Sequence, residues 1–204
     1  MAYRHPPYDV VIESCTNPPE QDQARWTVIV IVIEILNQLS APYLLSDTGS
    51  LLHLYRNCSV GLSDIDFSLD LGWWKENKGK LDEKLEDAGF TQTAIFGDIG
   101  HFGYTEAWGM YGIKVDILSS IMEGNIRVLG LWVQGRLFPC HMPVQRVSTY
   151  LWRGSVRVRI PVPVEDAMIA TYGRNYDYPV VGWQWDVSPF LTGYCSYKNI
   201  DIVY

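Results

Sequence analysis

The sequence predicts an α+β domain, and three observations carry that expectation. DIDFSLDL (residues 64–71) alternates apolar and polar side chains, as do YGIKVDIL (111–118) and SVRVRIPVPV (155–164). A period of two is that of a strand with one face on a core. WWKENKGKLDEKLEDAGF (73–90) instead places Leu81 and Leu85 at helical spacing. Finally, the 204 residues are 48% hydrophobic and 19% charged, which suits one ordered domain with a substantial core.

The chain opens with an extended arm over residues 1–20, which holds four prolines, and a single domain follows over 21–204. Residues 20–39 read as a helix, although the β-branched run WTVIVIVIEIL leaves a strand as the alternative. PYLLSD gives a short strand and TGS the turn after it. LLHLYRN is a short helix, with Leu51, Leu52 and Tyr55 at helical spacing. The acidic strand from Asp64 follows, then the charged helix stopped by Gly89. Thr91 to Leu118 reads as two or three strands with turns at 97–103 and 109–112. The strand carrying Val156, Val158 and Ile160 opposite Arg157 and Arg159 leads into the helix PVEDAMIATY, stopped by Gly173. The aromatic tail from Asn175 is irregular.

A net charge of −7 disfavours non-specific nucleic-acid binding and leaves room for a local basic pocket. Cys15, Cys58, Cys140 and Cys195 form no CxxC pair, so no structural zinc site is expected. Disulfides and free thiols both remain open. Residues 26–39 are too short to cross a bilayer and are broken by Glu34, and nothing before them reads as a signal peptide. No membrane span is therefore expected in this chain.

The chemistry gathers on the first acidic strand. Asp64, Asp66, Ser68 and Asp70 share one parity, while Ile65, Phe67, Leu69 and Leu71 share the other. Like charges this close repel unless water, a cation or a base offsets them. In YGIKVDIL, Ile113, Val115 and Ile117 face the core and leave Lys114 and Asp116 opposite. If the two strands pair, Asp116 joins Asp64 and Asp66 and makes an oxygen-ligand site for Mg²⁺ or Mn²⁺. Gly49 and Ser50 form a turn whose backbone can approach a phosphate at a helix start, and Arg56 stands about two turns on. Asp70 reads as solvent-exposed or as a helix-cap neighbour, Lys114 as a surface lysine or a phosphate contact. His101 is an alternative base, and Trp108, Trp183 and Trp185 are core or stacking residues.

The strings GSLLHLYRN…DIDFSLD and GIKVDIL, with GRLFPC and VRVRIPVPVEDAMIATYGRNYDYPVVGWQWD downstream, resemble the LicD/fukutin family, its animal fukutin-type branch above all. The likeness runs from about Pro42 to Asp186. It implies a nucleotidyltransferase-like fold, a mixed β-sheet flanked by helices with the active site at a sheet edge. It also implies transfer of a phospho-alcohol, of the ribitol phosphate or phosphocholine type, from a CDP donor to a glycan hydroxyl, with CMP released. By motif position, Asp64 and Asp66 match the metal-binding DxD and Asp116 the third carboxylate. Gly49 with Ser50 matches the phosphate-side turn, and Arg56 a donor contact. Leu62 and Ser63 stand where relatives often carry a further acid, leaving one or two metals open. The resemblance implies the Golgi or secretory lumen for a catalytic fragment; a complete chain, with no signal or membrane segment seen, is expected in the cytoplasm. An NTP-using nucleotidyltransferase and an inactive glycan- or partner-binding member are the alternatives.

Overall fold

The computed structural model describes residues 20–45, 50, 51, 54, 64–133, 136–153 and 155–172. Gly49, Arg56, Gly173, the proline-rich arm and the aromatic tail with Trp183 and Trp185 lie outside the described residues.

Helix α1, Glu20–Gln38, resolves the helix–strand ambiguity. Val28, Ile29, Val32, Ile33 and Leu36 are fully buried, and their spacing follows 3.6 residues per turn rather than two. Each stabilises the fold by about 1.5–3 kcal/mol. No helix among the described residues is long and apolar enough to cross a membrane.

Strand β1, Tyr43–Leu45, pairs antiparallel with β2, Ile65–Asp70. Ile65, Phe67 and Leu69 are fully buried, so the predicted apolar face packs on the core. Helix α2, Leu71–Asp87, begins two residues earlier than its sequence pattern suggests, because Asp70 caps it. The Asp70 carboxylate accepts the Trp73 amide at 2.9 Å. Replacing Asp70 with alanine is expected to cost about 1 kcal/mol, read as a lower urea midpoint with an unchanged slope. Leu81 and Leu85 are buried as expected, and Gly89 ends the helix at φ +94°. The Phe90 amide there donates back to the Leu85 carbonyl at 2.9 Å.

Three strands follow: β3, Thr91–Phe96; β4, Thr105–Met110; and β5, Ile113–Glu123. They pair antiparallel in sequence, and β5 also lies parallel to β2. The order β1-β2-β5-β4-β3 makes β2 and β5 interior strands. The expectation of a site on a sheet edge is corrected accordingly: the acids stand in the N-terminal parts of two interior strands, Asp64 just before β2. Parallel pairs are normally covered on both faces, which keeps them inside a sheet.

The far half of β5 pairs with β6, Ile126–Val133, and β6 with β7, Arg136–Pro143. Strands β8, Arg146–Trp152, and β9, Val156–Val162, make a separate hairpin before α3, Val164–Tyr172. Val156, Val158 and Ile160 are buried, as the alternation requires. The main core joins α1, α2, the helix side of the sheet, this hairpin and α3. A smaller apolar cluster of Leu118, Leu129, Cys140 and Met142 occupies the other side of the sheet. Cys140 is disulfide-bonded, its partner lying outside the described residues.

Gly130 is where β6 crosses the turn before β4. A β-carbon there would overlap the Gly103 backbone, which cannot retreat because its amide donates to Ser119 Oγ at 3.1 Å. Gly130→Ala is expected to destabilise the chain by about 1–3 kcal/mol through overpacking, seen as a drop in thermal midpoint.

Candidate active site

The pairing of β2 with β5 does what the two sequence patterns suggest separately. Asp66 is the register partner of Asp116, and Ile65 that of Val115, so Asp64 stands beside Lys114 on the same face. The Lys114 ammonium bridges the other two acids. Its Nζ donates to Asp116 Oδ2 at 2.7 Å and to Asp64 Oδ2 at 3.0 Å. Lys114 and Asp64 are about half exposed, at 45% and 48%, whereas Asp116 keeps only 18% of its side-chain surface.

These surroundings shift the titrations. Burial raises the pKa of Asp116, against the lowering effect of the Lys114 hydrogen bond and charge. For Lys114, burial acts to lower the pKa, but the hydrogen bonds and charges of Asp116 and Asp64 outweigh it, and the net shift is upward. Asp116 Oδ1 is buried and has no hydrogen-bond partner among the described residues. A buried acceptor left in that state costs about 1–3 kcal/mol.

Ser50 is buried and helical, and its hydroxyl ties that helix to the acidic strand. Its Oγ accepts the Asp66 amide at 3.1 Å and donates to the Asp64 carbonyl at 3.4 Å. The hydroxyl thus holds the backbone of both acids from behind. Gly49 and Arg56, the other two predicted substrate-side residues, lie outside the described residues.

Among the described residues, no three His, Cys, Asp or Glu side chains are arranged to hold a metal as they stand. The donor chemistry nonetheless suits a hard divalent cation. Asp64 and Asp116 converge on one point, Asp66 lies beside them in register, and Asp116 Oδ1 lacks a partner.

The remaining sequence candidates fall elsewhere. Asp70 caps α2. His101 is exposed in the turn before β4, beyond Thr105, which pairs with Leu118 two positions past Asp116. Trp108 is buried on the helix side of the sheet, so its role is packing.

Three charged groups were not singled out by the sequence. Arg127, 5% exposed, donates from Nε to Ser120 Oγ at 2.8 Å on the acid-bearing side of the sheet. Glu106 is fully buried on the opposite side, bonded to Tyr104, Lys78 and Trp108. The signal for Glu106 is its parity: Tyr104, Glu106, Trp108 and Met110 alternate onto one face, and three of the four are apolar or aromatic. Lys78 likewise interrupts the helical stripe of Trp74, Leu81 and Leu85.

No family model matches the chain. It is 27% identical over 173 residues to ribitol-5-phosphate transferase FKTN of Macaca fascicularis, and 26% identical over 173 residues to that of Homo sapiens. Each match covers 79% of this chain and 35% of the relative, so the chain spans about a third of the length of these curated relatives. Among solved structures, it is similar to the antibiotic-resistance factor ANT(2'')-Ia in solution, with a TM-score of 0.47 and 17% identity. That match covers 80% of this chain and 78% of the other. A crystal structure of ANT(2'')-Ia in complex with adenylyl-2''-tobramycin gives a TM-score of 0.44 at 17% identity, over 79% and 82% of the two chains.

Proposed function

We propose that this chain carries the catalytic domain of a metal-dependent transferase with a nucleotidyltransferase-like fold. It moves a phospho-alcohol, of the ribitol phosphate or phosphocholine type, from a CDP donor to a glycan hydroxyl. The observation that carries this reading is the meeting of Asp66 with Asp116 on adjacent parallel strands, with Asp64 and Asp116 both turned toward the Lys114 ammonium. The sequence similarity to ribitol-5-phosphate transferases adds the substrate class.

Asp64, Asp66 and Asp116 would hold Mg²⁺ or Mn²⁺. When bound, such an ion neutralises the donor pyrophosphate and the charge that develops on the departing phosphate. The acceptor oxygen forms a bond to the phosphorus that bears the alcohol. The pyrophosphate bond breaks, and CMP leaves with the electron pair. The hydroxyl proton passes to a carboxylate of the same set, Asp66 or Asp116. Ser50 keeps the strand ends fixed while this happens, because it grips backbone atoms that do not take part. By their motif positions, Gly49, Ser50 and Arg56 would supply the donor-phosphate contacts. The Cys140 disulfide suits an oxidising compartment such as the secretory lumen.

The test is a panel of CDP-ribitol, CDP-choline and nucleoside triphosphates with Mg²⁺ or Mn²⁺, read as CMP or pyrophosphate release. CMP from a CDP-alcohol supports the proposal. Pyrophosphate from a triphosphate, with no CMP from any CDP donor, would replace it with a nucleotidyl transfer.

A further inference from the structure

Resting on that reading of the site, we propose that Lys114 is its built-in counter-ion. Its ammonium holds Asp64 and Asp116 together in the ion-free protein and is displaced when the divalent cation binds.

The geometry leaves little choice. The Asp116 and Asp64 Oδ2 atoms both face Nζ, at 2.7 and 3.0 Å. A magnesium ion needs its oxygens at about 2.0–2.1 Å. An ion between these two carboxylates would therefore occupy the space of the ammonium, and the two positive charges would repel at contact distance. The same arrangement sets Asp64 and Asp116 apart, and among the described residues no three acids stand close enough to chelate. Two of them are spread around a monovalent group with longer contacts.

Lysine is suited to such exchange. Its charge sits on a flexible four-carbon stem, whereas an arginine fork is rigid and bidentate. Lys114 is also half exposed, so its head can reach water without unfolding any element. Its position on β5, two residues before Asp116 and on the same face, keeps it at the rim after it leaves. Lys78 is committed to Glu106 and Asp82 on the other side of the sheet, and Arg127 bonds Ser120, four residues past Asp116 on β5.

Without such a cation, Asp64, Asp66 and Asp116 would repel one another and strain the β2–β5 pairing. With it, the strands stay in register before any ion arrives. The consequence is weakened affinity for the free ion, since each binding event must break two charge-assisted hydrogen bonds.

The test is isothermal titration of the metal alone, Mn²⁺ or Mg²⁺ without donor, into the wild type, Lys114→Met and Lys114→Arg. Lys114→Met is expected to bind Mn²⁺ about tenfold more tightly or better, because the competitor is gone. Lys114→Arg keeps the charge and is expected to bind no more tightly than the wild type. The rise in thermal midpoint on adding Mn²⁺ should follow the same order. Wild-type binding with equal or weaker binding by Lys114→Met would overturn the counter-ion role and leave the metal site standing. Absence of Mn²⁺ binding in all three proteins would remove the site and the counter-ion together. Should Lys114→Met fail to fold, Lys114→Gln provides the neutral comparison.

Discussion

Replacing Asp66 with alanine is expected to lower CMP release from the active CDP-alcohol on the order of 10³-fold or more. The estimate follows from the several kcal/mol of charge stabilisation that a bound divalent ion supplies, at about 1.4 kcal/mol per tenfold in rate. The loss should fall on both kcat and kcat/KM, because the ion is needed most where charge builds on the leaving phosphate. The folded protein should survive the change. Ser50 grips the backbone amide of Asp66, not its carboxylate, so the clamp on β2 remains when the side chain is cut back. An unchanged thermal midpoint would separate chemistry from folding. Asp70→Ala is the control from the same strand: it removes a helix cap on the acidic face and should leave turnover close to normal. A rate for Asp66→Ala within about threefold of the wild type would mean that the acid cluster is not the reaction centre.

The pieces of this arrangement differed in how much the sequence could reveal. The acid and apolar faces of DIDFSLD were legible because β2 is an interior strand with helices on one side and the acid site on the other. Alternation then separates the core face from the acidic one, although Ser68 on the acidic face is buried as well. The meeting of Asp66 with Asp116 was expected on the condition that the two strands pair, and the register meets that condition. Periodicity alone gives each strand's parity; the pairing itself depends on β5 returning beside β2 after α2, β3 and β4. Strands β6 and β7 escaped for a different reason. Val128 and Leu129 are both buried, so no alternation marks the strand, and Gly130 and Pro139 interrupt the propensity. The bridging by Lys114 has a local half, two residues from Asp116 on one face, and a non-local half that only the fold supplies.

Glu106 offers the largest expected stability effect, and it tests the fold independently of the site. It is fully buried, accepts a hydrogen bond from Trp108 Nε1 at 2.9 Å, and bonds the Tyr104 hydroxyl. It also pairs with Lys78, which in turn holds Asp82 at 2.5 Å. Glu106→Ala strips one of two counter-charges, and the fully buried one, from a lysine that is only 21% exposed, and it orphans the Trp108 donor. The expected cost is about 3–5 kcal/mol, seen as a fall in urea midpoint. Replacing the pair together, Lys78→Met with Glu106→Leu, should recover much of that loss, since apolar groups of similar volume need no partner. If the double variant is no more stable than Glu106→Ala, the ion pair is not what the glutamate serves. The pH dependence gives a second check. Burial alone would lower the Lys78 pKa, but the hydrogen bonds and charges of Asp82 and Glu106 raise it well above its ordinary 10.5. A base whose folded pKa is raised contributes stability that is fully present below its unfolded value. That contribution is lost as pH climbs through the folded one. The wild type should therefore lose stability from about pH 10.5 upward, and Lys78→Met should lose less over the same interval. Equal alkaline losses in the two proteins would place the titration outside this pair.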